Sequence, residues 1–596
     1  MQHLDLQRSF PRNLYPSMKD AQTAAFAAIE PEEGIIVLEL PTGSGKTAIG
    51  YTYLTALKRL GKKRLFYLAP NKTLVEQVKT LHPDVSVAYG RNEHPCLYYP
   101  GEDLKADEIP CSMLGDCPHR VDQETGETHA AGAIPCPYLQ QKYEAKHAGG
   151  IVVCTSAFFL YTVLFSKEFE PEGVVVDEAH RLAQSIRSVL STELTDWKLA
   201  RGIDALNSVR SEQVHTLAAF LRRMKSLINK QAMGQETLLE EDEIKHLYDS
   251  LSKVDPEALE ADTRQAIRDG ELDVNDDREV LKQLEDIARS VRRFRHALRF
   301  AMTGATARGY PLSFVIAYGK TEMGERERVQ YRITVKDYYV VPIIKKLLPE
   351  NTLAYSATIS DPEVFAFETG IKGAYHSISS SFPAENARIY LPTNTANLAV
   401  KNTGSKRAKT RMLRRVAQAA KQFADKGHRS LVIVVSGEER TKFLLLAEEE
   451  GLKTISYGNG HTARECAKLF RAGEGDCLVG TTANYGEGVD LPQQIAPVIF
   501  CLRPGYPNPF DPQAGFEERR FGKRRWQLWN WRVMIELLQV RGRNIRSETD
   551  LGVTFLISQQ FRRFAFGSLP KWLQPSYRGQ LTFEQCVADA EKLLNT

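Results

Sequence analysis

An apolar run, a glycine-rich turn and a helix-forming stretch follow one another without a gap over residues 34–60, GIIVLELPTGSGKTAIGYTYLTALKRL. Few folds accept that order: the run reads as a buried strand, the turn as a tight loop and the rest as a helix, the repeating unit of a parallel α/β sheet. Glycines at 43 and 45 let the backbone turn so that its N–H groups face an anion at the helix N-terminus. Thr42, Gly43, Ser44 and Gly45 are then the cradle for nucleotide phosphates, Lys46 reaches the β- and γ-phosphates, and Thr47 ligates Mg²⁺. The leading glycine of the general pattern is replaced by Leu40, so the pattern is met in part.

A second apolar run, VVVDEAH at 174–180, delivers two adjacent carboxylates to a strand's C-terminal end. Open parallel sheets bind ligands at that edge. Asp177 is expected to hold Mg²⁺, and Glu178 to take a proton from a water attacking the γ-phosphate. Further strand patterns at 64–69, 173–176 and 430–435 place parallel α/β architecture at both ends of the chain. Between them, 183–305 is rich in helix formers and charge, as in DREVLKQLEDIARSVRRFRHALRF, and reads as a helical insertion.

Residues 91–137 mix Gly, Pro and Cys in irregular order, so something other than a large apolar core must hold them. Four of the nine cysteines lie here, Cys96, Cys111, Cys117 and Cys136, separated by 14, 5 and 18 residues. Zinc sites bring cysteines in close pairs, which are missing; four thiolates on long, uneven spacers fit a [4Fe-4S] cluster better, with zinc and unligated thiols as the other readings. The other five cysteines sit in apolar or helical contexts and read as packing residues.

At 596 residues, with 42% hydrophobic and 26% charged, the chain can bury several cores and is expected to form three or four domains. No stretch approaches the roughly 18 apolar residues of a membrane span, and the N-terminus lacks a secretory core, so no membrane partner and a cytoplasmic location are expected. A formal net charge of +4 does not by itself announce nucleic acid. Local segments do: Asn71, Lys72 and Thr73 follow the second strand and are placed to meet nucleic-acid phosphates at a helix N-terminus. The stretch RRFGKRRWQLWNWR at 519–532 interleaves arginines with Trp526, Trp529 and Trp531, chemistry that suits either a nucleic-acid track or the core face of a helix.

The order PTGSGKT, DEAH, SAT (Ser356 to Thr358), YGEGVDLP (485–492) and QVRGRNIR (539–546) resembles that of superfamily 2 helicases. The four cysteines before DEAH and the helical insertion after it are similar to the DinG and XPD iron-sulphur helicases, and the SAT triplet leans toward DinG. The resemblance implies two RecA-like parallel-sheet motor domains, with an iron-sulphur insertion and a helical arch insertion in the first. The expected order is motor domain 1 at 1–90, 138–182 and 306–385, the cluster domain at 91–137, the arch at 183–305 and motor domain 2 at 386–596. It further implies that Gln22 reads adenine, that Gln539, Arg543 and Arg546 serve catalysis from motor domain 2, and that Gly486, Glu487, Gly488 and Asp490 link the ATP cleft to the nucleic-acid groove. ATP, Mg²⁺ and a [4Fe-4S] cluster are the cofactors so implied. The partners are single-stranded and forked duplex DNA or a DNA–RNA hybrid, the chain acts as a monomer, and movement runs 5′ to 3′, with DNA repair among the pathways it would serve. A DNA-stimulated ATPase that remodels protein–DNA complexes without unwinding would carry the same motor motifs.

Overall fold

A computed structural model describes all residues except 1–3, 100–103, 109–110, 112–116, 148, 166–168, 231–232, 309–312, 323–327, 381–382, 400–405, 459, 486–494, 509, 543–548 and 596. The strands in chain order are β1 (Ile36–Glu39), β2 (Leu65–Ala69), β3 (Ser86–Ala88), β4 (Ile151–Thr155), β5 (Gly173–Asp177), β6 (Thr192–Thr195), β7 (Thr237–Leu238), β8 (Ser313–Glu322), β9 (Arg328–Asp337), β10 (Thr352–Ser356) and β11 (Ala374–Ser377). They continue with β12 (Ala387–Tyr390), β13 (Ser430–Ile433), β14 (Thr454–Ser456), β15 (Cys477–Gly480), β16 (Val498–Cys501), β17 (Gly552–Leu556) and β18 (Tyr577–Arg578).

Two seven-stranded parallel sheets result, in the order β11-β1-β10-β5-β2-β4-β3 and β14-β15-β13-β16-β17-β12-β18. Strands such as IVLE, LFYLA and SLVI are buried along their length, as a sheet covered by helices on both faces requires. In the first sheet β1 lies between β10 and β11, and β10 pairs β5, so the ends of β1, β5 and β10 come side by side. This juxtaposition brings Lys46, Glu178 and Ser356 together although they are far apart in sequence. The chain thus forms two RecA-like parallel-sheet domains.

The insertion is not wholly helical. Helices Asp196–Ser208, Gln213–Asn229, Glu241–Leu251, Pro256–Arg268 and Arg278–Arg308 pack on a four-stranded antiparallel sheet, β6-β9-β8-β7. Its hairpin strands β8 and β9 lie beyond residue 305, where the sequence suggested a return to the motor domain; they pair with β6 and β7 instead of the motor sheet. Buried Val315, Ala317, Ile333 and Val335 join the helices' apolar faces in one core, which explains why the hairpin goes with the insertion.

The two motor domains share a helix. Arg525–Arg541 connects to the second sheet and buries Val533, Met534, Leu537 and Val540 there, while Leu528, Trp531 and Ile535 enter the core beneath the first sheet. The Trp531 indole N–H donates to Ile359 O at 2.8 Å. Beside it the Glu368 carboxylate accepts from Arg187 (2.7 Å) and Arg532 (3.0 Å), and Arg532 also reaches Glu517 (2.7 Å). Burial works against charge on Glu368, but the two guanidiniums outweigh it and hold the carboxyl down at about 2. Trp529, which also donates to Glu517, and Trp531 are therefore core residues, and only Trp526 keeps an exposed face, at 46%.

Candidate nucleotide site between the motor domains

The loop after β1 positions its residues through two left-handed glycines, Gly43 (φ 83°) and Gly45 (φ 78°). A Cβ at Gly45 would also strike Gln22 Nε2 at 2.4 Å, so the position admits only glycine. Gln22 is buried against the loop, with its Oε1 accepting from Lys19 N as part of a helix cap. Lys19 Nζ holds the loop through Gly43 O at 2.8 Å. Ser44 is 2% exposed and its hydroxyl has no partner among the described residues, a donor left over in a loop whose shape suits phosphate oxygens.

Helix Lys46–Arg59 starts at the loop, and the Lys46 ammonium donates to Glu178 Oε1 at 2.8 Å. Glu178 itself sits at φ 48°, a strained backbone that turns its side chain back over the end of β5. Next to it, Asp177 Oδ1 accepts from Glu178 N and Oδ2 accepts from the Tyr67 hydroxyl, both at 2.8 Å. Tyr67 pairs with Tyr355 OH at 2.8 Å and also meets the Thr47 side chain. The two tyrosines need room beneath the helix, and Gly50 supplies it, since a Cβ there would lie 2.6 Å from Tyr355 OH. The carboxyls separate electrostatically. Burial and the neighbouring Glu178 charge push Asp177 up; for Glu178, burial is outweighed by the Lys46 ammonium and its hydrogen bond, so it is held as a carboxylate.

From Glu178 a chain of hydrogen bonds crosses to the second motor domain. The Ser356 hydroxyl donates to Glu178 Oε2 at 3.1 Å, and His180 Nδ1 lies 2.7 Å from Ser356 Oγ. Burial pushes the His180 imidazole down to about 4, so the ring is neutral. With Nδ1–H donating to Ser356, Nε2 is an acceptor and takes the Gln539 amide N–H at 2.7 Å. Thr358 N also donates to Ser356 Oγ, at 3.1 Å. Arg543, Arg546, Gly486, Glu487, Gly488 and Asp490 lie outside the described residues. Tyr67, Tyr355 and His180 were not singled out from the sequence. A tyrosine in each of two strand patterns, LFYLA and TLAYS, and the histidine of DEAH were the available signals.

The other sequence-derived candidates lie elsewhere. Asn71 caps helix Lys72–Leu81 by accepting from Leu74 N at 3.0 Å, Lys72 pairs with Glu93, and Thr73 is exposed. Cys96, Cys111, Cys117 and Cys136 line one cavity of about 320 Å³. Among the described residues no three His, Cys, Asp or Glu side chains are close enough to hold one metal ion. The cysteine segment meets the insertion where Tyr99 OH donates to Val274 O at 2.7 Å and Arg278 lies over the Tyr99 ring. A second, larger cavity of about 650 Å³ runs between the motors and the insertion, lined by Arg181, Gln184, Ser188, Lys336, Thr482 and Gln513 among others.

Residues 13–201 match the family described as type III restriction enzyme, res subunit, and residues 411–576 match the helicase C-terminal domain. A probable ATP-dependent helicase of Methanocaldococcus jannaschii is 23% identical, with 93% of each chain covered. An XPD helicase structure superposes with a TM-score of 0.60 at 14% identity, over 94% of this chain and 100% of the other. An XPD structure from S. tokodaii gives 0.54 at 12% identity, over 94% and 100%. The second motor domain thus matches a helicase C-terminal domain family, and the fold is that of the XPD helicase structures. No helix among the described residues is long and apolar enough to cross a membrane.

Proposed function

We propose that the chain is a DNA helicase that moves 5′ to 3′ along one strand, parting DNA duplexes or DNA–RNA hybrids, with ATP hydrolysed between its motor domains. The observation that carries this reading is the continuous path Glu178–Ser356–His180–Gln539, which ties the residue nearest the reacting phosphate to the second motor domain. ATP would lie with its phosphates on the loop, contacted by Lys46 and the free Ser44 hydroxyl. Glu178, held as a carboxylate, would accept a proton from the attacking water. Thr47 and Asp177 would hold Mg²⁺, which when bound supplies positive charge against the phosphate oxygens. Proton uptake at Glu178 weakens its hold on the Ser356 hydroxyl, and the change passes through His180 to Gln539, so hydrolysis is felt at the motor interface. Arg543 and Arg546, by resemblance, would neutralise charge on the transferred phosphoryl group.

The cavity between motors and insertion, with Arg181 and Lys336 on its wall, is the track we assign to the DNA strand. The cysteine cavity fits a [4Fe-4S] cluster: among the described residues four thiols and no carboxylate line it. The four cysteines would hold the cluster, which when bound cross-links a segment whose buried apolar side chains, among the described residues, are Tyr99, Ala106 and Val121. Polarity rests on the resemblance alone.

The test is unwinding of a duplex carrying a 5′ single-stranded tail beside the same duplex with a 3′ tail. Unwinding of the 5′-tailed substrate alone, with ATPase and unwinding both falling roughly 100-fold or more in Lys46→Ala, is expected. No unwinding of either substrate by a protein whose ATPase responds to DNA would replace the reading with that of a remodelling ATPase.

A further inference from the structure

Helix Pro512–Phe521 lies in the chain between β16 and β17 of the second sheet, yet it packs elsewhere. Among the described residues none of its side chains joins the apolar cores against that sheet. Instead Phe516, 4% exposed, enters an aromatic pocket on the insertion's hairpin, with Phe314, Ile316 and Tyr338 around it. Its ring centroid stands 5.2 Å from Phe314, edge to face, and 5.8 Å from Tyr338. One turn on, the Arg520 guanidinium lies 4.0 Å over the Tyr339 ring. Phe521 then meets Phe367 of the first motor domain at 4.6 Å.

This helix is joined to the nucleotide site by a stiff route. The shared helix Arg525–Arg541 carries Gln539 to His180 at one end, and positions 525 and 539 are about 21 Å apart along a straight helix. Both halves of that helix are gripped by apolar cores, so it moves as a rod. The corner between the two helices is locked by Glu517, the residue next to Phe516, which accepts from the Trp529 indole at 2.6 Å and from Arg532 at 2.7 Å. On the insertion's side, Arg187 of the first motor domain holds the foot of the hairpin through Tyr338 O at 2.9 Å. The hairpin's Lys336, Asp337 and Tyr338 form one wall of the cavity of about 650 Å³ between motors and insertion, beside Gln513 of the Phe516 helix. A displacement at Gln539 therefore reaches that wall through rigid parts, with Phe516 as the contact that delivers it.

We propose that Phe516 is a positioning residue that makes the insertion follow the nucleotide state: as the shared helix shifts, Phe516 carries the hairpin wall of the strand cavity with it. The proposal rests on reading that cavity as the strand's track and the loop at 41–47 as the ATP site. It gives the second motor domain a hold on the insertion, although the insertion interrupts the first.

Hydrogen exchange over 313–337 of the full chain, with ADP and with a non-hydrolysable ATP analogue, reads the coupling. Wild type should differ at least about threefold between the two nucleotides, and Phe516→Ala should abolish the difference. The variant should keep its DNA-free ATPase within about twofold and the kcat of DNA-stimulated ATPase within about threefold, while the DNA concentration for half-stimulation rises about tenfold. Phe516→Met, which refills the pocket, should restore both readings to within about threefold of wild type. Phe314→Ala removes the same contact from the insertion's side and should reproduce the loss, so a folding failure in one variant leaves the other readable. Full nucleotide dependence of the hairpin's exchange in either folded alanine variant, or an equal fall in DNA-free and DNA-stimulated ATPase, would overturn the proposal and reduce the contact to packing. Wild-type ATPase that does not respond to DNA would overturn the reading of the track instead, and the exchange experiment would still decide the coupling.

Discussion

The motor interface and the cysteine segment both depend on polar side chains, but they treat them in opposite ways. At the interface Glu178, His180, Glu368 and Arg532 are each matched by a protein partner within about hydrogen-bond reach, and the two sheets fix those partners from both sides. In the cysteine segment four thiols face a cavity, the elements are short, and among the described residues only Tyr99, Ala106 and Val121 are buried apolar side chains. The first region matches these charged groups within the protein. The second has the composition of a segment that a bound group must finish. Stability should therefore be written in the interface, and dependence on the cluster in the segment.

Removing one thiol gives the largest effect expected from this contrast. Cys136→Ser, at the start of helix Pro137–His147, should abolish iron and acid-labile sulphide content and duplex unwinding, and open the stretch 91–137 to limited proteolysis. DNA-stimulated ATPase should remain within a fewfold of wild type, because the polar path from Glu178 to Gln539 does not pass through the segment. Equal loss of ATPase and unwinding in a folded protein would erase the distinction between the two regions.

At the interface the matching test is Glu368→Gln. The substitution keeps the shape but leaves Arg187 and Arg532 with one fewer anion in a buried place, which should cost about 3 kcal/mol in urea unfolding. The same change at exposed Glu124, which pairs with Lys146 in the cysteine region, should cost under about 1 kcal/mol. Comparable losses at the two positions would mean that the interface is no better built than the surface of the segment.

How far the sequence discloses these regions follows from the range of the forces involved. The strand, loop and helix at 34–60 are a local pattern, and so is the strand that ends in DEAH, which is why two parallel-sheet domains could be read directly. The hairpin of β8 and β9 belongs to the insertion through pairing with strands more than 70 residues earlier, and no local signal at 306–337 says so. Lys46 and Glu178 stand out as motif residues, but Tyr67 and Tyr355 meet across 288 residues and Arg532 meets Glu368 across 164, so their roles appear only once the sheets are assembled. The tryptophan-rich helix was ambiguous for a related reason: basic and aromatic residues alternate in the same way on a nucleic-acid track and on a helix buried from two sides. The burial of Trp529 and Trp531 resolves that ambiguity, and the exposure of Trp526 leaves one ring for other use.

The smallest effect separates the regions by pH. His180 is 8% exposed and its imidazole is pushed down to about 4, against 6.5 for an ordinary histidine. The unfolded chain therefore binds a proton at this position before the folded one does. Its contribution to stability is complete above pH 6.5 and is lost as pH falls toward 4, on the order of 2 kcal/mol across that window. Protonation would also take away the Nε2 lone pair that accepts from Gln539, so the link between motors weakens in the same range. His180→Asn should flatten the fall in unfolding free energy between pH 6.5 and 4 relative to wild type. Proteolysis within 91–137 should keep the same pH profile in both proteins, since among the described residues the His180 ring bonds Ser356 and Gln539 and nothing in the cysteine segment. A wild-type slope retained in full by the variant would show that the neutral imidazole is not what fastens the second motor domain to the first.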